Sequence, residues 1–164
     1  MENIRRAVLS DVEGMSAVVD SAGRENYKEI FSSEQIAEYT GENCRKSFAN
    51  LLNNGKNVWV LLCDAEIAAV CAAQTCEDKP FEGYAEIMLM YVHPKFQHQG
   101  FGSRLLLHTL DEMRSKGYSH AVPDTAEKNA SARKFYEKLG FTERKIGVSR
   151  KIDDVTRIIY TIKL

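Results

Sequence analysis

Two glycines separated by one residue, Gly100 and Gly102, lie where an apolar run ends and a helical pattern begins. They belong to the stretch QHQGFG, residues 97–102, which follows YAEIMLMYV and precedes SRLLLHTL. The first backbone N–H groups of a helix have no intrahelical acceptor, and they point outward together at the positive end of the helix dipole. Glycines at these positions would let an anion approach the backbone closely. The stretch therefore predicts an anion site, and a pyrophosphate would fit it.

Three other interpretations of the glycine pair stay open when it is taken alone. A dinucleotide-binding fingerprint needs a third glycine, but Leu105 stands at that position. A phosphate loop of the G-K-[ST] type would end differently from the G-F-G-S found here. An ordinary helix start with incidental glycines is the third. Binding of ATP or NAD would indicate a nucleotide-binding domain.

The residues around the glycine pair resemble the GCN5-related N-acetyltransferases, the GNAT superfamily. QHQGFG matches the Q/R-x-x-G-x-G/A signature of that family. Upstream, AEIMLMYVHPKF looks like its fourth strand, and downstream NASARKFYEKLGF, residues 129–141, is similar to its penultimate segment. The likeness covers roughly residues 57–141. It implies that the chain uses acetyl-CoA as co-substrate and transfers the acetyl group to a primary amine.

The resemblance also implies which residues hold the cofactor. The pyrophosphate would lie on the backbone of the glycine-containing turn, and the pantetheine arm would lie along the preceding strand, with an N–H there polarising the thioester carbonyl. The cofactor-binding residues implied are Tyr91, Val92, Gln97, His98, Gln99, Gly100, Phe101, Gly102, Ser103, Asn129 and Arg133. Many members have Arg or Lys where this chain has Gln99. Any cationic contact must then come from Lys95, His98, Arg104 or Arg133, each of which can equally be a solvated surface residue.

Two residues are predicted to carry the proton transfers. Tyr136 matches the family's tyrosine general acid, which would protonate the leaving thiolate; the alternative is an ordinary residue on an amphipathic helix. Glu86 is the candidate base, because strand alternation places this carboxylate on one face with Met88, Met90 and Val92. Glu86 could instead reach solvent near the start of its strand or pair with a lysine. His93 and His120 are lesser candidates, and a water chain without a single base also stays open.

The pattern before the glycine pair predicts a strand at IRRAV and then helices. Ser10 and Glu13 form a predicted capping box for the first helix. Residues 27–52 are expected to be helical, with an interruption at Gly41. NVWVLLC and EIAAVCAAQT then predict a hairpin around Asp64, and YAEIMLMYV completes an antiparallel meander.

After the glycine pair the apolar spacing becomes helical. The expected buried face consists of Phe101, Leu105, Leu106, Leu110 and Met113, with Gly117 as the C-terminal cap. A short strand, SHAV, follows, and Pro123 is expected to end its regular pairing. Asn129 is the expected N-cap of the next helix and Gly140 its stop. Strands near residues 142–148 and 156–164 complete a single mixed α/β domain over residues 1–164, with a mostly antiparallel sheet, one parallel strand pair and flanking helices.

Composition sets broad limits on the class of protein. The chain has 164 residues, a net charge of −1 and 44% hydrophobic residues, which is typical of a soluble globular domain without affinity for nucleic acid or anionic membranes. No signal-peptide core or membrane-length apolar run occurs, so the cytoplasm is the expected location. The four cysteines have no C-x-x-C spacing, and His93 and His98 lack the spacing of a helical metal pair. Free thiols and no metal are expected.

The acceptor is not identified by the sequence. In the family resembled, the first two helices and the loop between the last two strands shape the acceptor site, which here implies Tyr27, Phe31, Glu34 and the turn SRKIDD. A small amine, a polyamine, an amino acid or a peptide N-terminus would all fit. A non-catalytic CoA-binding sensor or regulatory module is the alternative function, and a homodimer is left open because dimers are frequent in the family.

Overall fold

A mixed β-sheet forms the centre of this computed structural model, which describes residues 2–144, 151–152 and 155–164. Its strands are β1 (Glu2–Arg6), β2 (Asn57–Cys63), β3 (Glu66–Thr75), β4 (Ala85–Val92), β5 (His120–Ala126), β6 (Thr142–Glu143), β7 (Lys151–Ile152) and β8 (Val155–Lys163). The strand order is β1-β2-β3-β4-β5-β8-β6, and β7 pairs with β8. Only β4 and β5 are parallel among the paired strands described, as the sequence predicted.

Five α-helices cover the two faces of the sheet in the described chain. They are α1 (Val12–Asn26), α2 (Ser33–Tyr39), α3 (Gly41–Asn53), α4 (Phe101–Ser115) and α5 (Ala130–Lys138). One core lies between the sheet and α4 and α5, and a second lies between the sheet and α1 and α3. Strand alternation divides β2 between them, since Trp59 and Leu61 face the first core and Val58 and Val60 the second. This two-sided burial explains the continuous apolar runs of the central strands.

The predicted apolar face of α4 is confirmed. Phe101, Leu105, Leu106, Leu110 and Met113 are all buried in the first core. Gly117 and Gly140 follow α4 and α5 at φ +91° and +88°, which is the left-handed conformation of a glycine helix stop. The N-terminus of α4, with the glycine pair, is thereby fixed against the sheet at the end of β4.

The sheet opens between β4 and β5. The two strands pair only from Ala85 opposite Ala121 to Ile87 opposite Pro123, and beyond this point they separate. Pro123 has no N–H to donate, and it is the last residue of β5 paired to β4. The predicted end at SHAV was too early, however, because β5 continues to Ala126 by pairing with β8. A wedge-shaped opening results between the second half of β4 and the second half of β5.

A β-bulge in β4 contradicts the predicted face of Glu86. The pairing of β3 with β4 shifts register between Ala72 opposite Leu89 and Ala73 opposite Ile87, so that Met88 is the extra residue. Ile87 and Met90 consequently pack into the same core, and Leu89 and Tyr91 face the other side. Glu86 therefore does not share a face with Met90 and Val92, because simple alternation fails across the bulge.

The predicted capping box of Ser10 and Glu13 is also wrong. A 3-10 turn, Leu9–Asp11, precedes α1, and Asp11 rather than Ser10 is the N-cap residue. Its buried carboxylate accepts a bidentate pair of hydrogen bonds from Arg5, at 2.6 and 2.8 Å, and one from the Val8 N–H at 2.8 Å. The Arg5 contact, aided by the Val8 N–H, lowers the pKa of Asp11. Asp11 thus ties the end of β1 to the start of α1.

We expect Asp11→Asn to lower the free energy of unfolding at pH 7 by about 1–2 kcal/mol, because the charged hydrogen-bonded pair of Asp11 and Arg5 is lost. The loss is no larger because Arg5 is partly exposed, and solvent screens its interaction with Asp11. The folded-state pKa of Asp11 lies below the unfolded value, so the stabilisation is present above about pH 4 and is lost as pH falls through the folded pKa. Urea unfolding of the wild type and the variant at several pH values measures this difference in stability. The exposed Glu42→Gln is the control; a constant difference between wild type and Asp11→Asn down to pH 2 would contradict the assignment.

The remaining sequence predictions are largely confirmed. The break at Gly41 separates α2 from α3, although Tyr27 ends α1 rather than beginning the next helix. The β2–β3 turn is Asp64–Ala65, both at positive φ. The four thiols are free as predicted; Cys44, Cys71 and Cys76 are buried and Cys63 is half-buried. Of the strand predicted at residues 142–148, only β6 is described; residues 145–148, and Ser149, Arg150, Asp153 and Asp154 of the SRKIDD turn, lie outside the described residues.

The described residues show neither a membrane-spanning helix nor a metal-binding cluster. None of the helices described has both the length and the apolar content needed to cross a bilayer. No group of three or more His, Cys, Asp or Glu side chains in the described part of the chain is arranged to hold a metal ion.

Candidate active site

Two clefts meet where β4 separates from β5. The first, here called the turn cleft, has a volume of about 720 Å³ and is bordered by the 97–103 turn, the end of β4 and α5. The second, the helix cleft, has a volume of about 360 Å³ and is bordered by α2, α3, β4 and β5. The residues that line both clefts are Tyr27, Met90, Tyr91, Ala132 and Tyr136. The opening of the sheet therefore connects two spaces that enter from different sides.

Backbone donors at the start of α4 face the turn cleft. The first intrahelical hydrogen bond is donated by the Arg104 N–H to the Gly100 carbonyl, at 3.1 Å. The N–H groups of Phe101, Gly102 and Ser103 precede it and have no acceptor within the helix. All three residues line the turn cleft, at the positive end of the helix dipole. This end of the cleft suits an anion.

The two glycines of the turn serve different purposes. Gly100 has φ +82°, and a Cβ placed on it would meet nothing within 4 Å, so backbone conformation alone requires glycine there. A Cβ on Gly102 would lie 3.1 Å from the Val92 Cγ2 and 3.4 Å from the Phe135 Cε2. Glycine at 102 therefore permits the close approach of α4 to β4 and α5. Backbone conformation thus accounts for Gly100 and packing for Gly102. Close access of a ligand to the backbone, the reason suggested from the sequence for both glycines, stays a prediction.

Several residues predicted to bind the cofactor face the turn cleft, and others do not. Those that line it are Tyr91, Val92, Gln97, His98, Gly100, Phe101, Gly102, Ser103 and Asn129. Gln99 is outside the lining and donates from Nε2 to the Lys95 carbonyl at 3.1 Å. Arg133 is also outside it, donating to the Tyr160 hydroxyl and to Glu143, each at 3.2 Å. Asn129 caps α5 as predicted, since its Oδ1 accepts from the Ala132 N–H at 3.0 Å.

Of the basic residues suggested from the sequence, His98 lines the turn cleft, and Lys95, Arg104 and Arg133 do not. Lys95 pairs with Glu66 at 2.5 Å, and Arg104 pairs with Glu2. The basic side chains that line the cleft, apart from His98, are Lys28, Lys134 and Lys138, and Glu25 and Glu29 line it as well. The spacing of Lys134 and Lys138, one helical turn apart in the predicted α5, was the available signal for two of them.

Three tyrosines form the junction of the clefts. Tyr27, at the end of α1, lies 6.0 Å from Tyr91 between ring centroids, and its hydroxyl faces the side chains of Tyr91 and Asn129. Tyr136 is buried and packs against Phe135 and Phe141, with ring centroids 5.4 Å away in each case. Burial raises the pKa of all three phenols. Their hydroxyls therefore remain protonated through neutral and moderately alkaline pH and can donate hydrogen bonds.

The edge of β4 presents backbone donors to the opening. The His93 N–H donates to the Ala68 carbonyl of β3 at 2.9 Å, so the N–H of Val92, one residue earlier, is directed to the opposite edge. On that edge the Val92 carbonyl accepts from Gln97 Nε2 at 3.2 Å. By the same alternation the Tyr91 N–H is directed towards β3. Of the two backbone positions predicted, Val92 is thus the one with a donor aimed at the opening.

Glu86 lies apart from this junction. It is absent from the lining of both clefts, and it accepts a hydrogen bond from Gln74 Nε2 at 2.8 Å. The bulge at Met88 separates it from the residues at the opening. The structure therefore brings Tyr136 to the candidate site without bringing Glu86 there, and a role for Glu86 as base stays a prediction.

The helix cleft is mostly apolar, with few charges in its described lining. Asp124 of β5 and Arg157 of the neighbouring strand β8 line it and form a bidentate pair, at 2.7 and 3.1 Å. Glu38 of α2 is the other ionised side chain of that lining. Tyr27 and Phe31, expected from the sequence to shape an acceptor site, line this cleft, whereas Glu34 does not.

Comparison with known proteins gives a consistent family match. Residues 22–141 match the model of the Acetyltransferase (GNAT) family. The [ribosomal protein bS18]-alanine N-acetyltransferase of Escherichia coli is 32% identical over 103 residues, which are 62% of this chain and 65% of that protein. The chain thus aligns with less than two thirds of that relative's length. The spermidine N(1)-acetyltransferase of Thermoplasma acidophilum is 26% identical over 140 residues, 84% of this chain and 86% of that protein.

The fold is also that of a solved acetyltransferase. The crystal structure of the PaiA N-acetyltransferase from Thermoplasma acidophilum, in complex with coenzyme A, superposes with a TM-score of 0.77. The superposition covers 97% of this chain and 98% of that one, at 19% identity. A likeness at this identity shows the fold.

Proposed function

The chain belongs to the acetyltransferase (GNAT) family, and we propose that it transfers the acetyl group of acetyl-CoA to a primary amine. In this proposal acetyl-CoA occupies the turn cleft and the amine enters through the helix cleft. The observation that carries it is the meeting of the two clefts at Tyr136, Tyr91 and Met90. A donor and an acceptor bound on opposite sides of the opening would meet there directly.

The residues of the turn cleft fit coenzyme A. The N–H groups of Phe101, Gly102 and Ser103 would hold the pyrophosphate, and Lys134 and Lys138 would add positive charge for its phosphates. The unpaired edge of β4 offers hydrogen-bonding groups to an extended, amide-containing arm. Acetyl-CoA supplies an activated thioester.

In the proposed reaction the amine nitrogen forms a bond to the acetyl carbon, and the bond from that carbon to sulfur breaks. The Val92 N–H would stabilise the negative charge that develops on the carbonyl oxygen. Tyr136 would donate a proton to the leaving sulfur, and its own proton would be restored from solvent. The amine loses one proton before attack and another after it. We assign both protons to water, because Glu86 lines neither cleft and both oxygens of the Asp124 carboxylate accept hydrogen bonds from Arg157.

Turnover with a panel of amines tests this function. We expect calorimetry to detect acetyl-CoA binding and a thiol reagent to detect coenzyme A release that depends on an added amine, with the acetylated amine identified by mass spectrometry. Binding of acetyl-CoA without release across small amines, polyamines, amino acids and peptides would support the non-catalytic CoA-binding module instead. Binding of ATP or NAD but not of coenzyme A would contradict both.

A further inference from the structure

Building on the proposed function, we propose that the acceptor is the α-amino group of an N-terminal residue with an apolar side chain, which lies against Tyr39 and Met88. The inference rests on three features of the helix cleft: the position of its exposed apolar side chains, the composition of its walls and the arrangement of its charges.

The rim of the helix cleft exposes two large apolar side chains to water. Large hydrophobic residues exposed in the described chain are Val8, Leu9, Tyr39, Met88 and Leu107. Tyr39 is 50% exposed and Met88 is 37% exposed, and both line the helix cleft. They come from separate elements, α2 and the bulge of β4, which the fold brings to the same cleft. An apolar group covering both would remove that surface from water.

The walls below this rim are apolar and aromatic as well. They include Phe31 before α2, Ile36 within it, Phe48 of α3 and Leu89 of β4. A volume of about 360 Å³ is at the lower end of the range for small-molecule sites, which suits one or two residues of a peptide. An apolar side chain that enters the cleft would contact these apolar residues of the lining.

The charges of the helix cleft do not match a polyamine. Each ammonium group of a polyamine needs an anionic partner when it leaves water. In the described lining, both oxygens of the Asp124 carboxylate accept hydrogen bonds from Arg157, and the pair has no net charge. Glu38 of α2, on the exposed side of the cleft, is the other carboxylate there. One amine with an apolar neighbour fits this distribution better than several cationic amines.

The junction favours an amine that is already neutral. The ionisable groups facing it from the surrounding elements are the phenols of Tyr27, Tyr91 and Tyr136 and the Asp124–Arg157 pair. Because the Asp124–Arg157 pair is neutral as a unit, it offers no net negative charge that would hold an ammonium group at the junction. An α-amino group has a pKa of about 7.7–8.0 and a lysine-type amine about 10.4, so near neutral pH the neutral fraction of the former is larger on the order of 100-fold.

A matched acceptor panel tests the inference. The acceptors are the tripeptide amides Phe-Ala-Gly, Met-Ala-Gly and Asp-Ala-Gly, an N-acetylated peptide with one lysine, spermidine and 2-phenylethylamine. We expect kcat/KM for the Phe and Met peptides to exceed that for the Asp peptide about tenfold or more. The ratio should be larger still when the Phe and Met peptides are compared with the lysine peptide and with spermidine. Highest kcat/KM with spermidine, the lysine peptide or 2-phenylethylamine would overturn the inference.

Variants at the rim separate this inference from the proposed function. We expect Tyr39→Ser and Met88→Ser to lower kcat/KM for the Phe peptide about tenfold, with acetyl-CoA affinity unchanged. Leu107→Ser is the control, because Leu107 is 46% exposed and lines neither cleft; it should change neither quantity. Equal kcat/KM for the Phe peptide in all three variants and the wild type would overturn the inference. Absence of coenzyme A release with every amine would instead count against the proposed function.

Discussion

Tyr136→Phe should reduce kcat about 100-fold or more, the usual lower limit for the loss of a positioned general acid. The affinity for acetyl-CoA should stay the same. The substitution removes only the hydroxyl, so the ring keeps its contacts with Phe135 and Phe141. Coenzyme A release at saturating acetyl-CoA measures kcat, and calorimetry measures the affinity. Unchanged turnover would exclude Tyr136 as the acid, and a weakened affinity with normal kcat would make it a binding residue.

Tyr160→Phe is the matched control for this variant. Tyr160 is fully buried, its ring lies 5.7 Å from that of Tyr136 between centroids, and it lines neither cleft. Its hydroxyl donates to Glu137 and accepts from Arg133 on the far side of α5. Removing it should lower stability while leaving kcat close to the wild-type value. Equal losses of kcat in both variants would point to disturbed packing of the aromatic cluster.

The pH dependence follows from the direction of the Tyr136 pKa shift. Burial raises that pKa above the ordinary value near 10, so the phenol keeps its proton as pH rises. The rate should therefore increase from about pH 6 to 9 as the acceptor amine loses its proton, without a decline from Tyr136 ionisation in that range. A fall in kcat below pH 9 that disappears in Tyr136→Phe would contradict this assignment.

Gly102→Val should weaken acetyl-CoA binding about 100-fold or more. A Cβ at this position already lies 3.1 Å from Val92 and 3.4 Å from Phe135, so a branched side chain forces α4 away from β4 and occupies the turn cleft. Losing two hydrogen bonds from backbone N–H groups to a charged pyrophosphate, each contributing about 1.5–3 kcal/mol, corresponds to such a change in Kd. Calorimetry with coenzyme A and with acetyl-CoA gives the Kd values.

Ser103→Ala tests whether the backbone or the side chains of the turn bind the cofactor. The variant removes a hydroxyl that faces the turn cleft but retains the N–H of residue 103. If the backbone holds the pyrophosphate, the Kd of Ser103→Ala for acetyl-CoA should differ from the wild-type value by less than about threefold. The Kd of Gly102→Val for the same ligand should rise greatly. A large loss in Ser103→Ala with a small one in Gly102→Val would contradict the proposed pyrophosphate site. Thermal unfolding of both variants distinguishes weakened binding from loss of the fold.

Local patterns were sufficient for most secondary structure and for the turn. The spacing of Leu105, Leu106 and Leu110 predicted the buried face of α4, because a helix places these residues on one side whatever it packs against. Gly100 lies at positive φ at the helix start, and Asn129 caps α5, as their residue types indicate. Caps and turns are determined by interactions within a few residues, so they can be inferred from the sequence.

Apart from the capping box of Ser10 and Glu13, where Asp11 bonds the nearby Arg5 and Val8 instead, the predictions that failed depended on partners far away in the chain. Arg104 and Lys95 pair with Glu2 and Glu66, and neither partner is near in sequence. The face of Glu86 was predicted by alternation, but the bulge at Met88 is set by pairing with β3. Long charged side chains and strand register respond to neighbours that only the assembled sheet supplies.

The sequence by itself determined the local form of the turn that we propose for the donor: a strand, a glycine-containing turn and a helix N-terminus, whose backbone N–H groups are exposed by local geometry. Only the tertiary structure decided which other elements lie next to that turn. The parallel pair β4–β5 ends at Pro123, and the opening beyond it brings Tyr136 of α5 next to Tyr27 of α1 and Tyr91 of β4. No short-range pattern encodes that meeting, because it arises from the separation of two strands connected through a whole helix.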